Sequence, residues 1–452
     1  MQYDQTKHAL KFATVITFCF TAALVGCGSG GSDSSTPSTP APEQPSTGNN
    51  ANYVSFIRDN HLPIANLTDT EDFQDLKALD MYFHGPRIVQ LGESSHGSKQ
   101  MNQIKGRLAQ YLHQYHDFNT IAFESSAFAC SNAQSIKPNI SGRELMGACI
   151  FGIWMTESVL DLFDYIVESH NTGRPLKLAG FDIQRSGSFD STQHYQTFLS
   201  DALIRQPIQF DLELEALLST VVTLSERDRN CFRDYSQTGC DYIGQQLPDT
   251  KATLDKLVDH FANQATPEPM TLLVTRSMRR MLDMIAASYE GGISAGIRTR
   301  DRGMADNFID LADSVLSDEK IIIWAHNFHI AEHYPSDTTP QKHMGAHLAD
   351  HYGEDLYTVA LYMLSGEHAS NSRQRMGVTP HTSNSLESLA DEATDSIAFL
   401  PLNKQDQAGT ADDWLFTETS AKEWGTREQN VVLANVYDAI ILLPTSSMPD
   451  YL

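Results

Sequence analysis

Positive charge is scarce in this 452-residue chain, which sets 32 Lys and Arg against 57 Asp and Glu for a formal net charge of −25 at pH 7. A surface with that balance repels phosphate backbones, which excludes nucleic acid as a partner. Its weak long-range field favours neutral or cationic small ligands, and salt screens it over roughly 8 Å. Long apolar runs are scarce as well: the one stretch of note, Phe12–Val25, is too short for a comfortable membrane span. Cysteine is rare, at six residues. No internal repeat recurs along the chain, which excludes a solenoid, and no His-Glu-x-x-His signature of a zinc hydrolase is present. What remains is a chain that is 41% hydrophobic, enough to bury a sizeable core.

The N-terminus reads as a targeting segment. Lys7 and Lys11 precede the apolar run, and it closes on Leu24-Val25-Gly26-Cys27, which resembles the lipobox of bacterial lipoproteins. The resemblance implies a signal peptide over 1–26, cleavage before Cys27, and acylation of that residue. Gly28 rather than Asp follows it, which by likeness to lipoprotein sorting points to the outer membrane, facing the periplasm. Residues 27–52 are rich in Gly, Ser, Thr, Pro and Asn and read as a disordered tether; about 25 such residues span roughly 28 Å. With Cys19 lost and Cys27 acylated, Cys130, Cys149, Cys231 and Cys240 remain, an even number in an oxidising compartment. Three pairings are possible, and the expected one closes the two short loops, Cys130–Cys149 and Cys231–Cys240.

Residues 53–452 have globular composition. Short apolar runs at 87–91, 120–123, 176–180, 320–324, 356–360 and 439–443 read as buried strands, and helical stretches such as 101–116 and 159–168 separate them. That alternation predicts an α/β fold with a mostly parallel sheet flanked by helices. Between about 190 and 290 strand runs give way to helical periodicity (208–225, 250–263, 269–289), the pattern of a helical insertion subdomain.

Polar residues cluster where the strand runs end: Gly92-Glu93-Ser94-Ser95-His96-Gly97, Glu124-Ser125-Ser126, Gly180-Phe181-Asp182-Ile183-Gln184 and His326-Asn327-Phe328-His329. The carboxyl ends of parallel strands line the ligand crevice, so Glu93, His96, Glu124, Asp182, His326 and His329 are expected to converge. Carboxylates beside imidazoles fix the tautomer and stabilise the charged ring, which proton transfer requires.

These segments resemble the motifs of the erythromycin-esterase family: the Gly-Glu-x-x-His-Gly loop at 92–97, Gly-Phe-Asp-x-Gln at 180–184, Arg300-Asp301-x-x-Met304-Ala305-x-Asn307, Trp324-Ala325-His326-Asn327-x-His329, and Met344-Gly345-x-x-Leu348. The resemblance implies hydrolysis of a carboxylic ester, in the family's named members a macrolide lactone and hence antibiotic resistance, with no cofactor. It implies catalytic roles for His96 as the base that activates water, Glu93 as its orienter and His326 at the oxyanion. Glu124, Asp182, His329, Lys105, Arg107, Trp154 and Arg300 are the expected substrate-binding residues. Where the family tends to carry several Arg on the helix after the histidine, this chain has Gln103, Lys105 and Arg107, and Lys does not replace Arg at a bidentate site.

Three other readings compete. Gly292-Ile293-Ser294-Ala295-Gly296 matches a serine-hydrolase elbow, which needs a strand before it. A divalent metal held by Glu93, His96, Glu124, His326 and His329 would make the same site a metal-dependent hydrolase; His343, His347 and His351, at i, i+4, i+8, read as a partly exposed helix face. A non-catalytic envelope lipoprotein would use the crevice only to hold a ligand.

Overall fold

The computed structural model describes residues 50–232, 236–333, 342–402 and 413–452. The signal segment, Cys27 and the tether up to residue 49 lie outside them. Residues 50–52, read as tether, instead open the first helix, Asn50–Asn60.

Among the described residues twelve strands form: β1 Leu62–Ile64, β2 Ile88–Leu91, β3 Phe118–Ser126, β4 Lys177–Asp182, β5 Lys320–Trp324, β6 Leu356–Met363, β7 Glu367–Ala369, β8 Arg375–Gly377, β9 Ile397–Pro401, β10 Glu418–Glu423, β11 Arg427–Val432 and β12 Ala439–Leu443. Eight make one sheet in the order β1-β9-β12-β6-β2-β5-β3-β4. From β12 to β4 every pairing is parallel, while β9 and β1 extend the edge antiparallel. The fold is therefore α/β with a mostly parallel sheet.

Both faces of the sheet are covered, and the strand pleat divides the side chains between them. In β5, Ile321 and Ile323 point into one core and Ile322 and Trp324 into the other. This is why these strands read as unbroken apolar runs. The helices fit the same logic: Lys99–His116 opens with Ser98, whose side chain accepts from Met101 N–H, and Glu157–Ser169 opens with Thr156 accepting from Val159 N–H.

Between β4 and β5 the helices Thr192–Arg205, Leu214–Phe232, Gln237–Ala262 and Pro269–Gly291 pack around their own core, including Leu218, Leu224, Ile243, Leu254, Leu282 and Ile285. The cysteines pair Cys130–Cys149 and Cys231–Cys240, with Cα separations of 4.5 and 4.9 Å. The second bond ties the ends of the Leu214–Phe232 and Gln237–Ala262 helices. Among the described residues no helix is long and apolar enough to cross a membrane.

Candidate active site

β2, β5 and β3 stand side by side in the parallel part of the sheet, and their carboxyl ends carry the chemistry. Gly92 follows β2 where a Cβ would lie 2.2 Å from Asn327 Oδ1, so only glycine lets this loop pass the β5 loop so closely. Backbone bonds hold the loop, among them Ser94 N–H to Leu361 O at 3.0 Å, Asn327 N–H to Glu93 O at 2.9 Å, and Ala369 N–H to Gly97 O at 2.8 Å. Ser95 Oγ lies 2.9 Å from His368 Nδ1.

Glu93 is fully buried and accepts three hydrogen bonds. His96 Nδ1 donates to Oε1 at 2.6 Å, Trp154 Nε1 donates to Oε1 at 2.8 Å, and Lys105 Nζ donates to Oε2 at 2.8 Å. Burial alone would raise the Glu93 carboxyl, but the Lys105 ammonium and His96 outweigh it and hold it below its ordinary value. Burial in turn pulls Lys105 down to about 8 against the attraction of Glu93. An ionised Glu93 can only accept, so His96 Nδ1 carries the proton and Nε2 is left as the basic ring atom. His96 lines a cleft of about 630 Å³.

A second cluster stands across that cleft. Glu124, on the irregular end of β3 where the register with β4 shifts, accepts from Arg300 Nη2 at 2.7 Å, from His326 N–H at 3.1 Å, and lies 3.3 Å from His329 Nε2. Sequence reading put Glu124-Ser125-Ser126 after the strand, whereas they form its last three residues. Arg300 also donates to both oxygens of Asp182, at 3.2 and 2.5 Å. His329 Nδ1 lies 2.7 Å from Asp301 Oδ1. Burial would raise the Glu124 carboxyl, yet His329, Arg300 and His96 hold it far below the carboxylate range. Burial would lower His329, yet Glu124 and Asp301 raise it above its ordinary value.

His326 sits between the two clusters, its ring centroid 5.0 Å from that of His96. Phe328 N–H donates to His326 Nδ1 at 3.1 Å, which leaves the proton on Nε2. That atom is buried without a hydrogen-bond partner, 3.8 Å from Glu423 Oε2, which is equally unpartnered. Burial pushes His326 well below its ordinary value, helped by His96 and His329 and opposed by Glu124 and the Ser94 carbonyl.

Sequence reasoning missed Glu423 and Trp424. They lie at the turn of the β10–β11 hairpin, where Trp424 and Gly425 both have positive φ, 57° and 59°. Trp424 N–H donates to Ser94 O at 2.7 Å, and its ring stacks on His326 at 4.5 Å. A Trp in left-handed backbone is strained, and such strain gathers at functional sites. Glu423 accepts from Tyr362 Oη at 3.1 Å. Burial, with Glu387 nearby, pushes it up to about 8 despite Tyr362, Asn327 and Arg427. The strand Glu-Thr-Ser-Ala-Lys-Glu has no apolar run; its one signal is the Trp-Gly pair.

Three expected substrate-binding residues are placed elsewhere. Arg107 is buried away from the cleft, bonded to the carbonyls of Asn66, Asp69 and Asp72 and to both oxygens of Asp75. It pins the 66–75 loop, so the structure makes it a structural residue. Lys105 faces Glu93, the Ala325 carbonyl and the Trp324 ring, behind the cleft wall. Asp182 is likewise behind the wall, holding Arg300. Trp154, Glu124, Arg300, His326 and His329 line the cleft with His96. Ser294 lies in the first turn of the helix Ile293–Asp310, directly after another helix, so no strand presents it as a nucleophile.

The donor set does not fit a divalent ion. His96 Nδ1 and His329 Nδ1 are committed to carboxylates, His329 Nε2 lies between Glu124 Oε1 and Arg300 Nη1, and Lys105 and Arg300 already supply the positive charge among Glu93, Glu124 and Asp182. Among the described residues no group of three His, Cys, Asp or Glu is arranged to hold a metal. His343 is buried at the start of Met344–Tyr352, His347 is half-buried, and His351 faces Asp313 at 2.8 Å.

The chain is similar to known proteins. "Putative hydrolase YbfO" of Bacillus subtilis (strain 168) is 29% identical over 398 residues, covering 82% of this chain and 86% of that protein. "Erythromycin esterase type II" of Escherichia coli is 24% identical over 353 residues, covering 70% and 78%. The crystal structure of an erythromycin esterase mutant in its open conformation superposes with a TM-score of 0.62 at 18% identity, over 84% of this chain and 95% of that one, which is a likeness of fold. The model of the erythromycin esterase family matches residues 113–446, from just before β3 to beyond β12. A match over that share of the chain means that this protein belongs to the erythromycin esterase family of hydrolases.

Proposed function

We propose that the protein hydrolyses a carboxylic ester by direct attack of water, with His96 as the general base. The observation that supports this most is the clamp on Glu93: three donors fix one carboxylate, the carboxylate fixes the His96 tautomer, and the basic Nε2 belongs to a residue in the cleft wall. In the forward step Nε2 takes a proton from water as its oxygen bonds the ester carbonyl carbon, and Glu93 stabilises the imidazolium. The tetrahedral intermediate then collapses. The C–O bond to the alcohol breaks, and His96 returns its proton to the departing oxygen, giving acid and alcohol. His326, which lines the cleft, polarises the carbonyl oxygen through Nε2–H, and the Trp424 ring stacked on it holds the imidazole in place. No covalent enzyme intermediate forms.

The test is turnover on a panel of simple esters and macrolide lactones, followed by the mass gain of one water, with EDTA, with a serine-directed inhibitor, and in His96→Ala. Turnover that survives both reagents and is lost in His96→Ala is expected. Loss to EDTA would move the chemistry to a metal, and loss to the inhibitor would move it to a serine. We also infer from the lipobox-like segment that Cys27 anchors the protein to an envelope membrane, and Cys27→Ser is expected to release it to the soluble fraction.

A further inference from the structure

The walls of the cleft carry a charge pattern opposite to that of the molecule. Four arginines line it: Arg229, Arg300, Arg373 and Arg427. Arg300 is neutralised by Glu124 and Asp182. The other three, all exposed, form no salt bridge among the described residues. They come from three separate segments outside the parallel strands: Arg229 from the insertion helix Leu214–Phe232, Arg373 from the loop between β7 and β8, and Arg427 from the first position of β11.

Arg373 is held in place without being neutralised. Arg373 has left-handed backbone, φ 61°; its Nη2 donates to Gly152 O and its guanidinium lies 4.6 Å from the Tyr451 ring centre. A carbonyl and an aromatic face orient a guanidinium without neutralising it. Arg427 stands opposite Glu423 in the hairpin register, and Glu423 is held largely protonated at neutral pH. The other acid of the cleft wall, Glu124, is saturated by Arg300 and His329. Arg229 borders both this cleft and a neighbouring one of about 540 Å³, where the charge of Arg229 acts on Asp228 although the two form no salt bridge among the described residues. In a chain with 57 acidic and 32 basic residues, three arginines without a salt bridge among the described residues, gathered around one concavity, focus a positive potential there.

We propose that the cleft takes an anionic ester, binding a carboxylate, phosphate or sulfate group, set apart from the scissile carbonyl, on Arg229, Arg373 and Arg427. The bulk charge predicts neutral or cationic ligands; the cleft wall selects the opposite sign at short range, where the chain's distant acids are screened. This substrate class rests on the esterase reading above, and the experiment separates the two.

The full-length protein is assayed on two matched pairs: phenyl acetate against 4-acetoxybenzoate, and ethyl hexanoate against monoethyl adipate. Each pair differs by one carboxylate, on the alcohol or on the acyl side. At least one anionic member is expected to show a KM about ten-fold below that of its neutral partner, rising between 20 and 200 mM NaCl while the neutral KM stays fixed. Arg229→Gln and Arg427→Gln should each raise the anionic KM several-fold with kcat unchanged, and Arg427→Lys should restore most of it. Equal KM within both pairs, without salt dependence, overturns the proposal while leaving the esterase reading intact. Absence of turnover on all four, with the macrolide lactones of the wider panel also left intact, overturns the esterase reading instead. Calorimetric binding to His96→Ala then decides this proposal: preference for either anionic member supports it, and none sinks it.

Discussion

Lys105 and Arg107 are two residues apart on one helix, and such positions face opposite ways. Sequence assigned both to substrate; geometry divides them, one to Glu93 and one to the 66–75 loop. Arg107→Ala should therefore lower stability by about 3 kcal/mol, the order expected when a buried pair loses one member, with KM unchanged at temperatures where the fold persists. Denaturant titration and steady-state kinetics check the two halves. Glu93→Gln keeps the shape but loses the charge that stabilises the imidazolium, and kcat should fall about 10² to 10⁴-fold. Asp228 carries a pH signature. Burial pushes it up to about 6 from an ordinary 3.8. The folded state then binds more protons than the unfolded between those values, so the group favours folding below about pH 4 and loses that contribution as pH rises through 6. Asp228→Asn should stabilise the protein at pH 7.5 by on the order of 1–2 kcal/mol, after allowance for its partial exposure, and by nothing at pH 3.5. Thermal melts at the two pH values measure the difference.

At the scale of elements, legibility followed apolar contrast. β2, β3, β4 and β5 each end an apolar run at a polar cluster, so Glu93, His96, Glu124, Asp182, His326 and His329 could be picked out as strand-end residues. β1 is three residues long, and β9 follows a stretch rich in polar residues and ends in proline; both fall below what periodicity resolves. The β10–β11 hairpin is polar along most of its length, so the turn beside His326 is marked in sequence by the Trp424-Gly425 pair alone. That turn is open to test. Glycine accepts the left-handed backbone at 424, so Trp424→Gly should keep the hairpin and remove only the ring stacked on His326. A fall in kcat of about ten-fold or more, with little change in melting temperature, is expected; unchanged kcat would make the stack incidental. In the insertion, Cys231→Ser with Cys240→Ser should cost roughly 2.5 kcal/mol by chain-entropy reasoning for so short a loop, read as a lower midpoint in denaturant.

Across the whole molecule, composition fixed the class but not the local field. A net charge of −25 says nothing of where the positive residues gather, because clustering in space is a property of the fold and not of the count. The two cores on either face of the sheet and the third within the insertion explain how one chain of this length holds a rigid acid–base cluster and a separately packed wall beside it.

That separation has an evolutionary consequence. The residues that move the proton are rooted in central strands, where Gly92 cannot accept even a methyl group. The residues that meet the rest of the substrate come from an insertion helix, a β7–β8 loop and a hairpin, whose exposed arginines can be exchanged without disturbing any core. Lineages that share the base, its carboxylate and the sheet can thus drift in what they cleave, and kinship in the first is a poor guide to diet in the second.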